Sequence, residues 1–437
     1  MKKFFYKQCG AFYLIGIGGV SMSAIAKYLK ISGGTVAGSD NTESEYTREL
    51  AELGIKVEIG GQKGSIKDYD VIIYTDAIKE NDFQLTEAKK LNKTIVSRGV
   101  FLAEISKAFT KTVAISGCHG KTTCTAMLAH IFKCADKKYC AHIGGRDNEF
   151  HNLHYCGDDY FITEACEYKR NFLYLNPYIG VVLNSEPDHM ECYGSEENLI
   201  AAYDEFCEKS VRSVKLYDDK IKGKVTFGSN KNADYFADDM SVKNGCYSFA
   251  VYEYGKKLGH VDLNVVGKHN VFNALAAIVV ARIENIPFDS IVLGLENFSG
   301  VERRMQFLGY INGAKCFADY AHHPSEIAST LSSISGTGNL FVVFQPHTYS
   351  RTKNLFSDFV QVLEPIKNLL IYRTFSAREY FDDAGNALTL SQAIGSSKYG
   401  ESPQDIIEFM HNATVGDTVL FLGAGDIYEI AKTLICK

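Results

Sequence analysis

At 437 residues the chain is too long for one ordinary domain, which sets an expectation of two or three. An apolar fraction of 46%, a charged fraction of 22% and a formal net charge of −6 are those of a globular protein, and they argue against a nucleic-acid coat. No apolar run reaches the roughly 18 residues of a membrane helix, and Lys7-Gln8 interrupts the basic start before any signal core, so a cytoplasmic protein is expected.

The first segment runs from a strand-like Ala11–Ile17 through Gly18-Gly19 into a helical Ser21–Leu29, with further strands at Thr35–Gly38 and Val71–Thr75. Its turn, Gly16-Ile17-Gly18-Gly19-Val20-Ser21, is similar to a dinucleotide-binding fingerprint, and Asp40 follows a second strand at about the distance of a ribose-binding acid. Ser21 stands where that fingerprint has its third glycine. An NAD-dependent oxidoreductase is therefore one open reading of this segment.

The second segment starts with the strand Thr112–Ser116 and continues with strands at Tyr160–Glu164 and Ile179–Asn184. A β-rich insertion is expected over Phe227–Gly259, where Tyr247, Phe249 and Val251 share a face at strand spacing. An apolar helix follows over Ala274–Ile283. The third segment has strands at Phe341–Phe344, Leu369–Tyr372 and Thr418–Leu422, the last entering Gly423-Ala424-Gly425-Asp426. Strands alternating with helices imply parallel sheets covered on both faces. The expected fold is thus α/β in three domains: a Rossmann-like domain over 1–108, a central P-loop-type ATPase domain with a mainly parallel sheet over 109–298, and a Rossmann-like C-terminal domain over 299–437. The twelve cysteines are scattered without a C-x-x-C pair, so neither a zinc ribbon nor a redox centre is indicated.

The strongest motif is Val113-Ala114-Ile115-Ser116-Gly117-Cys118-His119-Gly120-Lys121-Thr122-Thr123. A strand, a glycine turn and a helix start present backbone N–H groups to phosphate oxygens, and the helix dipole adds to the attraction. Lys121 can reach the β- and γ-phosphates, and the Thr122 hydroxyl can ligate Mg²⁺. The turn is the shorter G-x-x-G-K-T form. Residues just past the carboxyl ends of neighbouring parallel strands share a crest with such a loop, which brings in Glu164 and His189. A carboxylate is a natural ligand for a hard cation, a histidine an unusual one. Taken singly, each is open to a structural reading.

With these motifs in place the chain resembles the Mur ligase family. The resemblance covers essentially its whole length: Gly16-x-Gly18-Gly19-Val20-x-Met22-Ser23, Gly117–Thr123, Glu164-Ala165-x-Glu167 and Asn184–His189, then Gly267-Lys268-His269-Asn270-x-x-Asn273-Ala274 and Gly300-Val301-x-Arg303-Arg304. It ends with Asp319-Tyr320-Ala321-His322-His323-Pro324 and Gln345-Pro346-His347-x-Tyr349-Ser350-Arg351-Thr352. The family forms an amide by phosphorylating a substrate carboxylate with ATP and letting an amine attack the acyl phosphate. For this chain the resemblance implies UDP-N-acetylmuramate, L-alanine and ATP as partners, in a monomer or homodimer, with Mg²⁺ (or Mn²⁺) as metal.

By the same resemblance Lys121, His322 and Arg351 are catalytic, and Thr122, Glu164 and His189 hold the metal. ATP meets Gly117, Cys118, His119, Gly120, Lys121, Thr122 and Thr123, the amides of Asn270 and Asn273, and Arg304 and Asp319. The substrate meets Gly16, Gly18, Gly19, Ser39, Asp40 and Thr75 in the first domain, and Tyr320, His322 and Arg351 in the last. The sequence departs from the family at two places. Cys166 stands where many members have Asp, and Thr348 where many have Arg. No sequence feature marks a carbamylated lysine. Bland readings stay open here, with Arg303-Arg304 as an exposed hinge pair, His323 as a structural histidine and Arg351 as a helix cap. So do two rivals in function, a ligase that attaches a recycled murein peptide and a UDP-sugar-binding regulator without catalysis.

Overall fold

Runs such as Phe12-Tyr13-Leu14-Ile15 carry apolar side chains on both sides of an extended backbone, which suits a strand covered by helices on both faces. The computed structural model, which describes residues 10–60, 66–187, 190–243, 245–334, 338–377 and 379–435, gathers these runs into three sheets. The protein is α/β with three domains, one sheet to each.

The first sheet holds β1 (Ala11–Ile15), β2 (Thr35–Asp40), β3 (Lys56–Ile59), β4 (Val71–Tyr74) and β5 (Thr94–Ser97). They are parallel, in the order β3-β2-β1-β4-β5. The order reverses between β1 and β4, which opens a crevice at their carboxyl ends, beside the glycine turn.

The second sheet comprises β6 (Lys111–Ser116), β7 (Tyr139–Asp147), β8 (His151–Tyr155), β9 (Tyr160–Glu164) and β10 (Ile179–Val182), then β11 (Arg212–Leu216), β12 (Val225–Gly228), β13 (Tyr235–Lys243), β14 (Cys246–Glu253) and β15 (Lys256–Val266). Its order is β15-β14-β13-β12-β11-β10-β6-β9-β7-β8. The strands from β12 through β9 to β7 run parallel, whereas β8 is antiparallel to β7. The expected β-rich insertion is the β12–β15 edge. Phe249 and Val251 are buried there, but so is Ala250, so mid-strand β14 is covered on both faces and Tyr247 is only half-buried. The strand expected over Ile179–Asn184 stops at Val182, and the helix expected from Ala274 begins five residues earlier, at His269.

The third sheet contains β16 (Gln306–Ile311), β17 (Ala314–Asp319), β18 (Leu340–Phe344), β19 (Asn368–Tyr372), β20 (Lys398–Gly400) and β21 (Thr418–Leu422), in the order β16-β17-β21-β18-β19-β20. Only β16 runs antiparallel to its neighbour.

Two compact units result. One comprises Met1–Met240, Phe249–Asp262 and Val271–Phe298, so the first two sheets belong together. The reason is a shared core: Phe12, Leu14, Ile25 and Phe101 pack in one cluster with Cys140 and Phe161 of the second sheet, and Phe109 stacks on Phe161 at 5.0 Å. A buried polar clamp lies beside it. Lys27 donates to Glu49 at 2.6 Å and to Asn152 at 2.7 Å, and Arg146 also bonds Glu49. Burial raises the Glu49 pKa, but the hydrogen bonds from Lys27 and Arg146 outweigh it and hold the carboxyl at about 2. The other unit comprises Ser241–Ser248, Leu263–Asn270 and Ser299–Lys437. There the two-residue period of the strands divides the core: Phe341 and Val343 join one cluster, Val342 and Phe344 the other. Among the described residues no helix is long and apolar enough to cross a membrane.

Candidate functional site

The phosphate loop lies where sheet register puts it. Strand β6 pairs with β9 so that Ile115 faces Glu164, and with β10 so that Ser116 faces Val182. Glu164 and the Leu183-Asn184 segment therefore flank Gly117–Gly120 on either side. Both glycines have positive φ, +128° at Gly117 and +84° at Gly120, a region costly for residues with a Cβ. Space matters as much: a Cβ on Gly120 would stand 2.2 Å from Asn273 Oδ1. Asn184 clasps the loop, accepting from the His119 N–H at 2.9 Å and donating to the His119 carbonyl at 3.2 Å. The helix Lys121–Cys134 leaves with Thr122 and Thr123 buried in its first turn.

Lys121 is enclosed by oxygen. Its Nζ donates to the carbonyls of Gly117 (2.5 Å) and Cys118 (3.1 Å) and to both oxygens of Glu167 (3.0 Å each). Burial, the largest single influence, lowers its pKa, yet the charge and hydrogen bond of Glu167 and the neighbouring Cys166 and Cys118 together outweigh it and push the pKa upward. Glu167 is itself buried, and its carbonyl accepts from Tyr193. Cys118 Sγ bonds the Glu186 carbonyl. The Thr122 hydroxyl and the Glu164 carboxylate have the oxygen chemistry a hard cation needs. His189, the third expected ligand, lies outside the described residues, and among those described no group of three or more His, Cys, Asp or Glu gathers as a metal site. Glu164 is held in place by the Gly144 N–H at 2.6 Å, and a methyl group at Gly144 would stand 2.5 Å from the same carboxylate.

At the glycine turn of the first sheet, Gly16 and Ile17 donate to the Ser39 carbonyl at 2.8 and 3.0 Å, Gly18 to Asp40 Oδ2 at 2.9 Å and Gly19 to the Gly16 carbonyl at 3.2 Å. Thr75 stands against Gly16, where a Cβ would come within 2.7 Å of its methyl. The side chain of Ser39 is buried and its hydroxyl donates to Gln84 at 2.7 Å, while its carbonyl serves the turn. Asp40 fixes the turn through Gly18 and also accepts from the Asn41 N–H.

Strand β7 joins Ser21, just past this turn, to β9, the neighbour of the phosphate-loop strand. His142 meets Ser21 Oγ at 3.0 Å through Nε2 and Thr163 Oγ1 at 3.1 Å through Nδ1. Burial, reinforced by the Arg98 charge, lowers its pKa to about 4. Arg98, in the first turn of the helix Arg98–Ser106, donates to Ser21 Oγ at 3.5 Å.

In the C-terminal unit the ends of β17 and β18 carry a second constellation. His322 Nδ1 lies 2.9 Å from the Tyr320 carbonyl and 3.2 Å from Glu326 Oε2, and its ring centre is 5.8 Å from that of His347. Arg351 reaches His347 Nδ1 at 3.2 Å. Burial, then the charges of His322 and Arg351, lower the His347 pKa to about 4. His323 caps the helix Pro324–Ser333, as its structural reading required. The two arginines of the Gly300-Val301 segment divide their work: Arg303 packs over Tyr320 and Tyr428 and bonds the Gly425 carbonyl, while Arg304 is exposed. Asp319 is buried and already accepts from Met305 and Ala321 N–H and from Thr330, so any ribose contact shares an occupied carboxylate. Asn270 donates to the Val266 carbonyl at 2.8 Å. Thr348, where the resemblance led to arginine in many members, has φ +69°.

Three family models match the chain: Mur ligase family, catalytic domain, over residues 11–110; Mur ligase middle domain over 115–281; and Mur ligase, glutamate ligase domain over 303–425. The UDP-N-acetylmuramate–L-alanine ligase of Clostridium perfringens is 37% identical over 444 residues, covering 97% of each chain. The enzyme of that name from Acetivibrio thermocellus is 36% identical, covering 97% of this chain and 95% of the relative. Among solved structures, a UDP-N-acetylmuramate-alanine ligase from Thermotoga maritima aligns with a TM-score of 0.83 and 26% identity over 97% of this chain and 98% of its own. A murein peptide ligase from Psychrobacter arcticus aligns with a TM-score of 0.74 and 23% identity over 98% of each, a likeness of fold alone.

Proposed function

The chain belongs to the Mur ligase family, and from that premise we infer that it joins L-alanine to the carboxylate of UDP-N-acetylmuramate, converting ATP to ADP and phosphate in peptidoglycan precursor synthesis. The likeness to alanine-adding relatives along almost the whole chain supports the choice of substrate. One structural observation carries the chemistry: the register of β6, β9 and β10, which sets Glu164 and Asn184 on either side of a phosphate loop holding Lys121 and Thr122.

The residues divide the reaction as follows. Gly117 to Thr123 cradle the ATP phosphates, and Lys121 neutralises charge on the transferring phosphoryl group. Thr122, Glu164 and His189 would hold a Mg²⁺ ion, which would supply further positive charge there. Asn270 and Asn273, both in the first turn of the helix His269–Ile283, serve the adenine, and Arg304 with Asp319 the phosphate and ribose. The glycine turn with Asp40 and Thr75 receives the UDP end of the substrate. Tyr320, His322 and Arg351 serve the reacting carboxylate and the incoming amine, and His347, bonded to Arg351, belongs with them. Domain boundaries at 108/109 and 298/299 and a cytoplasmic location complete the proposal. The chemistry requires Lys121, Thr122 and Glu164 together, which favours a ligase over a silent UDP-sugar binder.

The test is phosphate release from ATP in the presence of UDP-N-acetylmuramate, with L-alanine, glycine, L-serine or a murein tripeptide as amine. Release that needs both the sugar nucleotide and L-alanine is the expected result. Release with the tripeptide alone would transfer the chain to peptide recycling, and none with any amine would remove the catalytic reading.

A further inference from the structure

Arg98 has a position but, among the described residues, no partner of opposite charge. It opens the helix Arg98–Ser106 just past the carboxyl end of β5, half-buried, and among the described residues its one side-chain hydrogen bond is the 3.5 Å contact with Ser21 Oγ. Among the described residues no carboxylate stands within ion-pair distance of it. A guanidinium never gives up its proton to relieve burial, so a half-buried one without a counter-charge is costly until an anion arrives.

The surroundings say where that anion sits. Ser21 lies in the first turn of the helix Val20–Ile31, which leaves directly from Gly16–Gly19. Its hydroxyl is fixed from the far side by His142 Nε2 at 3.0 Å, and His142 is fixed in turn by Thr163 at 3.1 Å. The acids of the neighbourhood are engaged elsewhere, Asp40 with the Gly18 and Asn41 N–H groups and Asp76 with Asn171. A fork of N–H donors beside a fixed hydroxyl and a helix start matches two oxygens of a phosphate. We propose that Arg98, with Ser21, binds the diphosphate of the nucleotide-sugar substrate and so is a binding residue outside the glycine turn itself. The proposal rests on the reading of the chain as a UDP-sugar ligase.

The experiment is calorimetric titration of the full chain and its Arg98→Met and Arg98→Lys variants with UDP-N-acetylmuramate and with its carboxyl methyl ester. ATP binding is measured alongside as a check on the fold. Arg98→Met is expected to weaken both sugar nucleotides by the same factor, about ten- to a hundred-fold, with ATP affinity unchanged and most of the loss restored by Arg98→Lys. A loss confined to the free acid would show that Arg98 reads the carboxylate, and unchanged affinity for both would show that it reads neither; each result overturns the proposal. Should Arg98→Met fail to fold, the comparison of the two ligands in Arg98→Lys decides, since a weaker fork still lowers both equally or only one. Failure of the unaltered protein to bind either sugar nucleotide would instead overturn the ligase reading.

Discussion

Lys121 is the residue on which two demands meet. In the proposed mechanism it is the cation for the moving phosphoryl group, and to serve there it would exchange Glu167 and two loop carbonyls for nucleotide oxygens. Lys121→Ala is expected to lower turnover by at least about a hundred-fold while leaving calorimetric binding of UDP-N-acetylmuramate nearly unchanged; retained turnover would count against the mechanism. Glu167→Gln separates the structural half of the pair. It strips the counter-charge from a buried ammonium, a change that costs on the order of 3 kcal/mol when a buried pair is broken, so the melting temperature should fall. Because ATP phosphates can replace the lost charge, ATP should raise the melting temperature more in this variant than in the parent. An equal ATP shift in both would show that Lys121 does not pass between the two partners.

The elements were legible in sequence wherever periodicity and glycine punctuation agreed. Strands β1, β6, β9, β18 and β21 and the phosphate loop fall within a residue or two of expectation, because their apolar runs are short and sharply bounded, three of them (β1, β6 and β21) by a following Gly. What was not legible is what depends on register. Asn184 reads as the end of a strand, yet only the pairing of β6 with β10 turns its amide towards His119. Ser39 looks like a binding serine, but strand alternation and the presence of Gln84 turn its hydroxyl inward. Glu167 was visible in its motif but its pairing with Lys121 was not, and Arg98 and His142 give no sequence signal of their own, since each acts through a residue far along the chain. His347 was visible in its motif but acquired a place only through Arg351 and His322. Gly144 shows the same dependence on neighbours. Gly144→Ala puts a methyl 2.5 Å from the Glu164 carboxylate, so the Mg²⁺ concentration for half-maximal activity should rise several-fold with little change in melting temperature. An unchanged Mg²⁺ requirement would remove Glu164 from the metal site.

At the scale of the molecule, the first two sheets behave as one body because aromatic packing and a buried clamp join them. Glu49, with a folded pKa of about 2 against an ordinary 4.5, stabilises the native state at every pH above 4.5, and that contribution fades as the pH falls towards 2. Glu49→Gln should therefore lower stability at neutral pH and flatten its decline between pH 4.5 and 2, as read by urea denaturation across that range; parallel acid limbs for parent and variant would show that the clamp does not set it. The body so formed is crossed by β7, which bonds Ser21, just past the glycine turn, through His142 and Glu164, at the end of β9 beside the phosphate loop, through Gly144. Two residues of extended chain, about 6.6 Å, thus gauge the offset between the turn and the loop. A gauge of this kind tolerates changes of letter far better than changes of count. One residue inserted between His142 and Gly144 would reverse the facing of everything beyond it, and homologous chains that perform this reaction should vary in length around β7 and not within it.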